Sequence, residues 1–309
     1  MVTFFRYLIL VSCLGAGPAA MAFPFDYKPP GKFVLMFQSF RMYFHCEGEG
    51  NQTVIIEPGI GDSSANWLPV LDKVANHTRV CIYDRAGNGF SDPGPGPRST
   101  SQITLELYAL LKKARIKGPY IIVGHSFGGY VAQYFASQFP AETAGLVLVD
   151  SSHPDQVERL SDLDEIEDAP GISVGGYRFE DESLLTPAQK LWKHLNAQRK
   201  SVWTQMDELG SFSDSADEVK KIFRQLPPMP VAVLSRGISQ LPVIPGKKSL
   251  EVDWHDMQKD LMRLSAQSWQ VIVRDSGHSI HQDAPDAVVE QILKVVELVQ
   301  NGQERAVVD

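Results

Sequence analysis

The chain has 309 residues, a length that can bury a large core within a single domain. It carries 29 basic and 37 acidic side chains, which give a formal net charge of -8 at pH 7. This balance, with no cluster of Lys or Arg, argues against a nucleic-acid-binding surface. It excludes little else, because soluble proteins generally carry net charge.

Residues 1–22 have the pattern of a secretory signal peptide. One positive charge precedes an apolar run at 7–14, and Ala20-Met21-Ala22 matches the A-x-A cleavage pattern. The apolar run is too short to span a bilayer, so no transmembrane span is expected in the mature chain. We expect a periplasmic or secreted protein whose mature chain begins near Phe23. The alternative is a lipid-anchored lipoprotein, because Leu10-Val11-Ser12-Cys13 resembles a bacterial lipobox in which Cys13 would be lipidated.

The segment 23–39 is expected to be an extended lead-in that does not pack, because it contains Pro24, Pro29 and Pro30. Beyond this segment, short apolar runs predict buried strands. These runs are 41–46, 53–57, 79–83 and 120–123. Apolar residues at helical spacing predict the helices that lie between them, over 62–76 and 103–114.

The stretch Gly124-His125-Ser126-Phe127-Gly128-Gly129 contains the pattern G-x-S-x-G. The pattern alone occurs often by chance in Gly-rich turns. Here it directly follows the predicted strand and precedes a run at 130–139 with helical spacing, which is the context of a nucleophile elbow. In such an elbow the serine backbone adopts a positive φ and the hydroxyl stands clear of the sheet. Ser126 is therefore the candidate nucleophile.

The second half of the chain alternates between polar and apolar segments. Residues 151–228 are polar, show no convincing strand and contain helical stretches, and a polar amphipathic helix is predicted over 253–267. Asp275-Ser276-Gly277-His278 follows the last predicted strand, and Pro285 begins a final helix. The predicted strands of this half are 145–150, 229–234 and 269–273.

The elbow and three further motifs together resemble those of the α/β-hydrolase family. The further motifs are Pro58-Gly59-Ile60-Gly61, Asp84-Arg85-Ala86-Gly87 and Ser276-Gly277-His278. The resemblance implies an α/β fold with a mostly parallel eight-stranded sheet flanked by helices. It also implies a core made of 23–150 and 229–309, with 151–228 inserted as a helical cap over the active site. The alternative is that the inserted helices pack at the edge of the core without a gating role.

The resemblance also implies a catalytic triad of a serine, an acid and a histidine. Ser126 and His278 stand where the family has its nucleophile and its general base. The acid usually follows the strand after the cap, but residues 235–240 contain no carboxylate. Asp150, at the end of the strand after the elbow strand, is the better candidate, since some family members have the acid there. Helix capping is the simpler role for two later carboxylates, Glu251 and Asp253.

The oxyanion hole that the resemblance implies would consist of the backbone N–H groups of Phe127 and Ile60. Most family members have a His-Gly pair where this chain has Pro58-Gly59. The change is compatible with catalysis, because the chemistry needs a backbone N–H there and not the His side chain.

Other polar residues near these motifs are expected to be structural. Asp84 and Arg85 would pin a tight loop by hydrogen bonds. His125 is expected to face away from the pocket and His281 to have no catalytic role. No spacing of His, Cys, Asp or Glu predicts a metal site, and no phosphate-binding loop predicts a nucleotide, so neither a metal nor a cofactor is expected.

Two cysteines remain when Cys13 is set aside, Cys46 and Cys81. The resembled fold has its second and fourth strands side by side, and these are the predicted strands that contain the two cysteines. Export would make oxidation possible, so we expect a disulfide between them. The alternative is two buried free thiols, which are common in protein cores.

These observations lead to one functional hypothesis with two alternatives. The hypothesis is an exported serine hydrolase that cleaves a small carboxylic ester through an acyl-enzyme, with Ser126, Asp150 and His278 as its triad. An aminopeptidase or amidase would use the same triad on an amide substrate. A catalytically idle binding module on the same scaffold is the alternative from a different class, because a fold does not fix a function.

Overall fold

A computed structural model describes residues 28–165, 185–223 and 226–308 of the chain. The predicted signal peptide and the lipobox around Cys13 therefore lie outside the described residues. Residues 166–184 of the predicted insertion 151–228 also lie outside the described residues.

The structure is organised around one eight-stranded sheet with the strand order β1-β2-β4-β3-β5-β6-β7-β8. The pairs β1–β2 and β2–β4 are antiparallel, and every other pair is parallel, as the sequence predicted for most of the sheet. The strands are β1 Lys32–Met36, β2 Phe40–Glu47, β3 Thr53–Glu57, β4 Arg79–Tyr83, β5 Tyr120–His125, β6 Thr143–Val149, β7 Pro230–Arg236 and β8 Gln267–Val273.

Helices cover both faces of the sheet, which explains why its central strands are continuous apolar runs. Helices α2, α3 and α7 contribute to the core on one face, and α1 and α10 to the core on the other. The helices are α1 Leu68–Val74, α2 Thr100–Lys113, α3 Phe127–Gln138, α4 Gln156–Arg159, α5 Pro187–Asn196, α6 Arg199–Gly210, α7 Phe212–Ile222, α8 Leu250–Asp260, α9 Ile280–Asp283 and α10 Pro285–Val308. Among the described residues, no helix combines the length and the apolar character needed to cross a membrane.

Strand β1 corrects the expectation that residues 23–39 do not pack. Residues Lys32–Met36 pair with β2 as an antiparallel edge strand, and Met36 is fully buried. The three prolines precede the strand in sequence and so remove no hydrogen bond from it. Phe33 and Leu35 are exposed, so this edge strand lacks the apolar run that identified the central strands.

The segment between β6 and β7, here called the β6–β7 insert, contains α4, α5, α6 and α7 and no strand among its described residues. Helix α7 packs against α2 and α3, and α5 packs against the short turn at Ser64–Trp67. The helical composition agrees with the sequence, whereas a gating role for residues 151–228 stays a prediction.

The antiparallel pairing of β2 with β4 brings the two predicted disulfide partners together. Cys46 lies directly opposite Cys81 in the register, and their Cα atoms are 4.0 Å apart. The two side chains form a disulfide that closes a loop over a sequence separation of 35 residues.

Candidate active site

Ser126 lies in the turn between the end of β5 and the start of α3. Its backbone has φ 52° and ψ -123°, a conformation that non-Gly residues rarely adopt. Neighbouring backbone groups hold this strained residue. The Ser126 N–H donates to the Val149 carbonyl at 3.2 Å, and the Ser126 carbonyl accepts from the N–H groups of Gly129 and Ser152 at 2.8 and 2.9 Å. The predicted nucleophile therefore has the backbone of an elbow.

Two glycines of the elbow are required by close backbone packing. A Cβ at Gly128 would lie 2.4 Å from the carbonyl oxygens of Glu57 and Pro58, and a Cβ at Gly124 would lie 2.5 Å from the Gly128 carbonyl oxygen. Contacts this short are not tolerated, so the sharp strand-to-helix turn needs glycine at both positions. The contacts of Gly128 also show that the turn after β3 packs directly against the elbow.

His278 and Asp150 form the second part of the site. The Nδ1 atom of His278 lies 2.6 Å from Oδ2 of Asp150, which immediately follows β6 and has φ 39°. A carboxylate can only accept, so Nδ1 of His278 carries the proton and its Nε2 presents a lone pair. The main chain of His278 is fixed as well, because its N–H donates to Oε1 of Gln240 at 2.8 Å. This arrangement gives a histidine whose Nε2 can take up a proton.

The environment of the pair shifts both pKa values downward. Burial alone would raise the pKa of Asp150, but the positive charge of Arg236 and the hydrogen bond from His278 hold it well below its usual range. Burial lowers the pKa of His278, and the hydrogen bond and charge of Asp150 oppose that effect only in part. About a third of the His278 side chain, 34%, stays exposed. At neutral pH the pair therefore consists of an anionic Asp150 and a neutral His278.

The carboxylate of Asp150 has three further donors. Its Oδ1 accepts from Trp254 Nε1 at 2.9 Å and from the backbone N–H of Arg236 at 3.2 Å, while its Oδ2 accepts from Arg236 Nη1 at 2.8 Å. The sequence analysis did not identify Arg236, Trp254 or Gln240 as residues of the site. Arg236 lies within 235–240, next to the place where the family usually has its acid, and no local pattern shows that its guanidinium pairs with the carboxylate of Asp150 on the neighbouring strand.

The two alternative acids lie elsewhere. Glu251 binds Arg236 with both carboxylate oxygens, at 2.9 and 3.1 Å. Asp253 pairs with Lys248 and Arg159. The expected capping role is wrong for Glu251, whose carboxylate is committed to the guanidinium and to the nearby backbone N–H groups of Gln240 and Leu241.

The turn Pro58-Gly59-Ile60-Gly61, here called the oxyanion turn, lies beside Ser126. A Cβ built on Gly59 would lie 3.3 Å from Ser126 Cβ, so the turn borders the elbow. Phe127 is the first residue of α3, and its N–H consequently has no acceptor within that helix. Phe127 is buried and Ile60 partly buried. The structure thus places both predicted oxyanion-hole residues next to Ser126, Phe127 in sequence and Ile60 through the neighbouring oxyanion turn.

Asp84 has the role that the sequence predicted for it. Its carboxylate accepts from the backbone N–H groups of Ser64 and Phe90, both at 2.7 Å, and so ties together two loops at the edge of the sheet.

The position of His125 corrects the expectation that this ring faces away from the site. Its Nε2–H donates to the His278 carbonyl at 3.1 Å, and its ring centroid is 4.8 Å from that of His278. Its Nδ1 lies 3.0 Å from Oδ2 of Asp62. Nε2 of His281 lies 3.5 Å from the same Oδ2, and the His281 ring is stacked on Trp67 at 4.2 Å. Burial together with the charge of His125 lowers the pKa of His281 to about 3.

Asp62, His125 and His281 are the one group of described residues whose ligand atoms are close enough to hold a metal ion, all within 4.8 Å of one another. Asp62 and His125 already bond each other directly, and a metal would have to displace that hydrogen bond. We assign no metal to this group.

Comparisons with known proteins identify the family of the chain. A family model described as "Alpha/beta hydrolase family" matches residues 54–291. The uncharacterized protein YqjL of Bacillus subtilis is 29% identical over 244 residues, which are 79% of this chain and 83% of that protein.

Two solved structures show the same fold at low sequence identity. A thermophilic esterase from Thermogutta terrifontis is 19% identical with a TM-score of 0.64, over 88% of this chain and 99% of that one. The enol-lactonase from Burkholderia xenovorans LB400 is 17% identical with a TM-score of 0.62, over 86% of this chain and 100% of that one.

Proposed function

Because the chain belongs to the alpha/beta hydrolase family, we propose that it is a serine hydrolase that cleaves small carboxylic esters, with Ser126, His278 and Asp150 as its triad. One observation carries the proposal: the 2.6 Å hydrogen bond between His278 and Asp150, the residue that directly follows the strand next to the elbow strand. That pairing fixes the histidine tautomer that a serine nucleophile requires.

The proposed reaction has two halves. Nε2 of His278 takes the proton of the Ser126 hydroxyl while the oxygen attacks the ester carbonyl, and the proton then passes to the leaving alcohol. The negative charge on the carbonyl oxygen is stabilised by the N–H groups of Phe127 and Ile60. In the second half His278 takes a proton from a water molecule, whose oxygen attacks the acyl-enzyme; the bond to Ser126 breaks, the proton returns to the Ser126 oxygen and the acid is released. Asp150 stays ionised and stabilises the imidazolium that forms in each half.

An ester is the preferred substrate class, since two structural neighbours are named as an esterase and as an enol-lactonase, and a lactone is a cyclic ester. The same triad would also act on an amide if the site could protonate an amine leaving group. Residues 151–228 of the β6–β7 insert would form a cap over the active site and shape the sites for the acyl and alcohol groups of the substrate.

Export is part of the proposal. It is supported by the signal-peptide pattern of residues 1–22 and by the Cys46–Cys81 disulfide, since disulfides persist mainly in oxidising compartments.

Labelling with a fluorophosphonate probe tests the proposed function. We expect the wild-type protein to be labelled at Ser126 and to hydrolyse p-nitrophenyl esters of short acids faster than the matching p-nitroanilides. The Ser126→Ala variant should neither be labelled nor hydrolyse these substrates. A folded wild-type protein that is not labelled and hydrolyses no ester or anilide would instead be the binding module on a hydrolase scaffold.

A further inference from the structure

Three carbonyl groups of the oxyanion turn accept hydrogen bonds from side chains outside the turn. Arg85 Nη1 donates to the Pro58 carbonyl at 2.6 Å, and Arg85 Nη2 donates to the Gly59 carbonyl at 2.7 Å. Trp192 Nε1, on helix α5 of the β6–β7 insert, donates to the Gly61 carbonyl at 2.9 Å. Side chains outside the turn therefore help to set its conformation, together with a local bond from the Asp62 N–H to the Gly59 carbonyl at 3.3 Å.

The bond to Gly59 bears directly on the proposed oxyanion hole. The Gly59 carbonyl and the Ile60 N–H belong to the same peptide group, which is planar and trans. Fixing the direction of that carbonyl consequently fixes the N–H in the opposite direction. Arg85 holds the carbonyl on one side, so the Ile60 N–H is turned toward the other side.

Arg85 is held in turn by the insert. Its five N–H donors make five hydrogen bonds, of which two go to the turn, one to Glu57 and two to Glu208. Glu208 lies on helix α6 and binds the guanidinium with both oxygens, at 2.9 and 3.0 Å. The side chains of Arg85, Glu57 and Glu208 are all 0% exposed. Because Arg85 and Glu208 form a bidentate pair that is shielded from water, the orientation of the guanidinium plane depends on Glu208.

We propose that Glu208 and Trp192 are positioning residues for the oxyanion hole: Glu208 orients Arg85, Arg85 and Trp192 hold the turn, and the turn aims the Ile60 N–H at the reacting carbonyl. The inference rests on the proposed function and deepens it. It makes the β6–β7 insert a part of the catalytic apparatus and not only a wall of the substrate pocket. Donors that stabilise the developing oxyanion must already point toward it before the reaction begins. The insert would orient the Ile60 N–H in this way.

The chain offers a matched control for Glu208. Arg98 and Glu106 form a second bidentate pair, at 2.7 and 2.8 Å, with side chains only 2% and 1% exposed. Neither residue bonds to the oxyanion turn in the described structure. Glu208→Gln and Glu106→Gln therefore make the same chemical change in a buried Arg–Glu pair, and only the first loosens the arginine that holds the turn.

The experiment compares the hydrolysis of p-nitrophenyl butyrate by the purified wild type and both variants, with thermal melting to confirm folding. We expect Glu208→Gln to lower kcat by about ten- to a hundredfold with little change in KM, because a misoriented oxyanion donor weakens the stabilisation of the transition state more than the binding of the substrate. Glu106→Gln should keep kcat close to that of the wild type. Equal kcat values for the two variants would overturn the inference while leaving the proposed function intact.

A second pair of variants tests the inference if Glu208→Gln does not fold. Trp192→Phe removes the donor to the Gly61 carbonyl, and Trp203→Phe makes the same change at a side chain of the insert that is 59% exposed. Trp192→Phe should lower kcat by about three- to tenfold and Trp203→Phe should not. Matching kcat values in this pair would again contradict the positioning role. A wild type that is not labelled at Ser126 would overturn the proposed function, and this inference with it.

Discussion

Replacing Asp150 by Asn removes one charge and changes one hydrogen-bonding atom at the centre of the site. Oδ1 of Asp150 accepts from both Trp254 and the Arg236 backbone, so the amide oxygen of Asn must take that place. The amide NH₂ group then takes the place of Oδ2 and faces both Nδ1 of His278 and Nη1 of Arg236, which loses its bond to residue 150. Because an NH₂ group can only donate, Nδ1 must become the acceptor and the proton moves to Nε2. The tautomer that can accept a proton from Ser126 is lost.

We expect Asp150→Asn to lower kcat for p-nitrophenyl butyrate by about 10³- to 10⁴-fold, which corresponds to about 4 to 5.5 kcal/mol of transition-state stabilisation. The variant should still fold, because Arg236 keeps its bidentate bond to Glu251 and is not left as an unpaired buried charge. Steady-state hydrolysis measures the first effect, and thermal melting followed by circular dichroism measures the second.

Glu251→Gln is the matched control, since it removes a carboxylate from the same arginine without touching His278. It should lower stability more than it lowers kcat. The reasoning is refuted if Asp150→Asn keeps near-normal kcat while Glu251→Gln or Asp253→Asn is inactive, because the acid would then belong to the later segment.

Three further outcomes are expected. Ser126→Ala should lower turnover by about 10⁶-fold without altering the melting temperature much, and residual hydrolysis within tenfold of wild type would contradict the elbow assignment. Alkylation and mass spectrometry of unreduced exported protein should find Cys46 and Cys81 joined, and two free thiols would contradict this. Reduction of the disulfide should lower the free energy of unfolding by about 3 to 4 kcal/mol, because the unfolded chain gains entropy. Burial lowers the pKa of His278, which must be neutral to act as the base. As the pH is raised, kcat/KM should therefore increase to a plateau, with half of the plateau value reached below pH 6.5. A half-maximal pH above 7 would be inconsistent with the site.

The sequence predicted the features that depend on neighbours along the chain. Central strands such as β5 are continuous apolar runs because helices cover both sheet faces, and this pattern is visible without a structure. The Ser126 elbow was found in the same way, because its glycines and its flanking strand and helix are contiguous. The edge strand β1 was missed, since an edge strand with exposed Phe33 and Leu35 lacks that run.

Long-range pairs of charges could not be predicted from local patterns. Arg85 and Glu208 are 123 positions apart in the chain, and Arg236 and Asp150 are 86 apart. Their pairing depends on how the β6–β7 insert and the carboxyl ends of the strands meet, and nothing in a window of neighbouring residues contains that information. The charges were visible in the sequence, but their partners were not.

The position of the proposed triad acid, Asp150, is consistent with charge balance at this edge of the sheet. Strands β6 and β7 are parallel neighbours, with Val149 opposite Leu234, so the residues that follow them lie side by side. Arg236 therefore meets Asp150, and burial of the carboxylate leaves no unpaired charge. A second acid in place of Arg236, nearer the usual family position, would put two buried carboxylates together, and each would raise the pKa of the other. With an aspartate at residue 150, the end of β7 supplies the cation Arg236 and not a second acid.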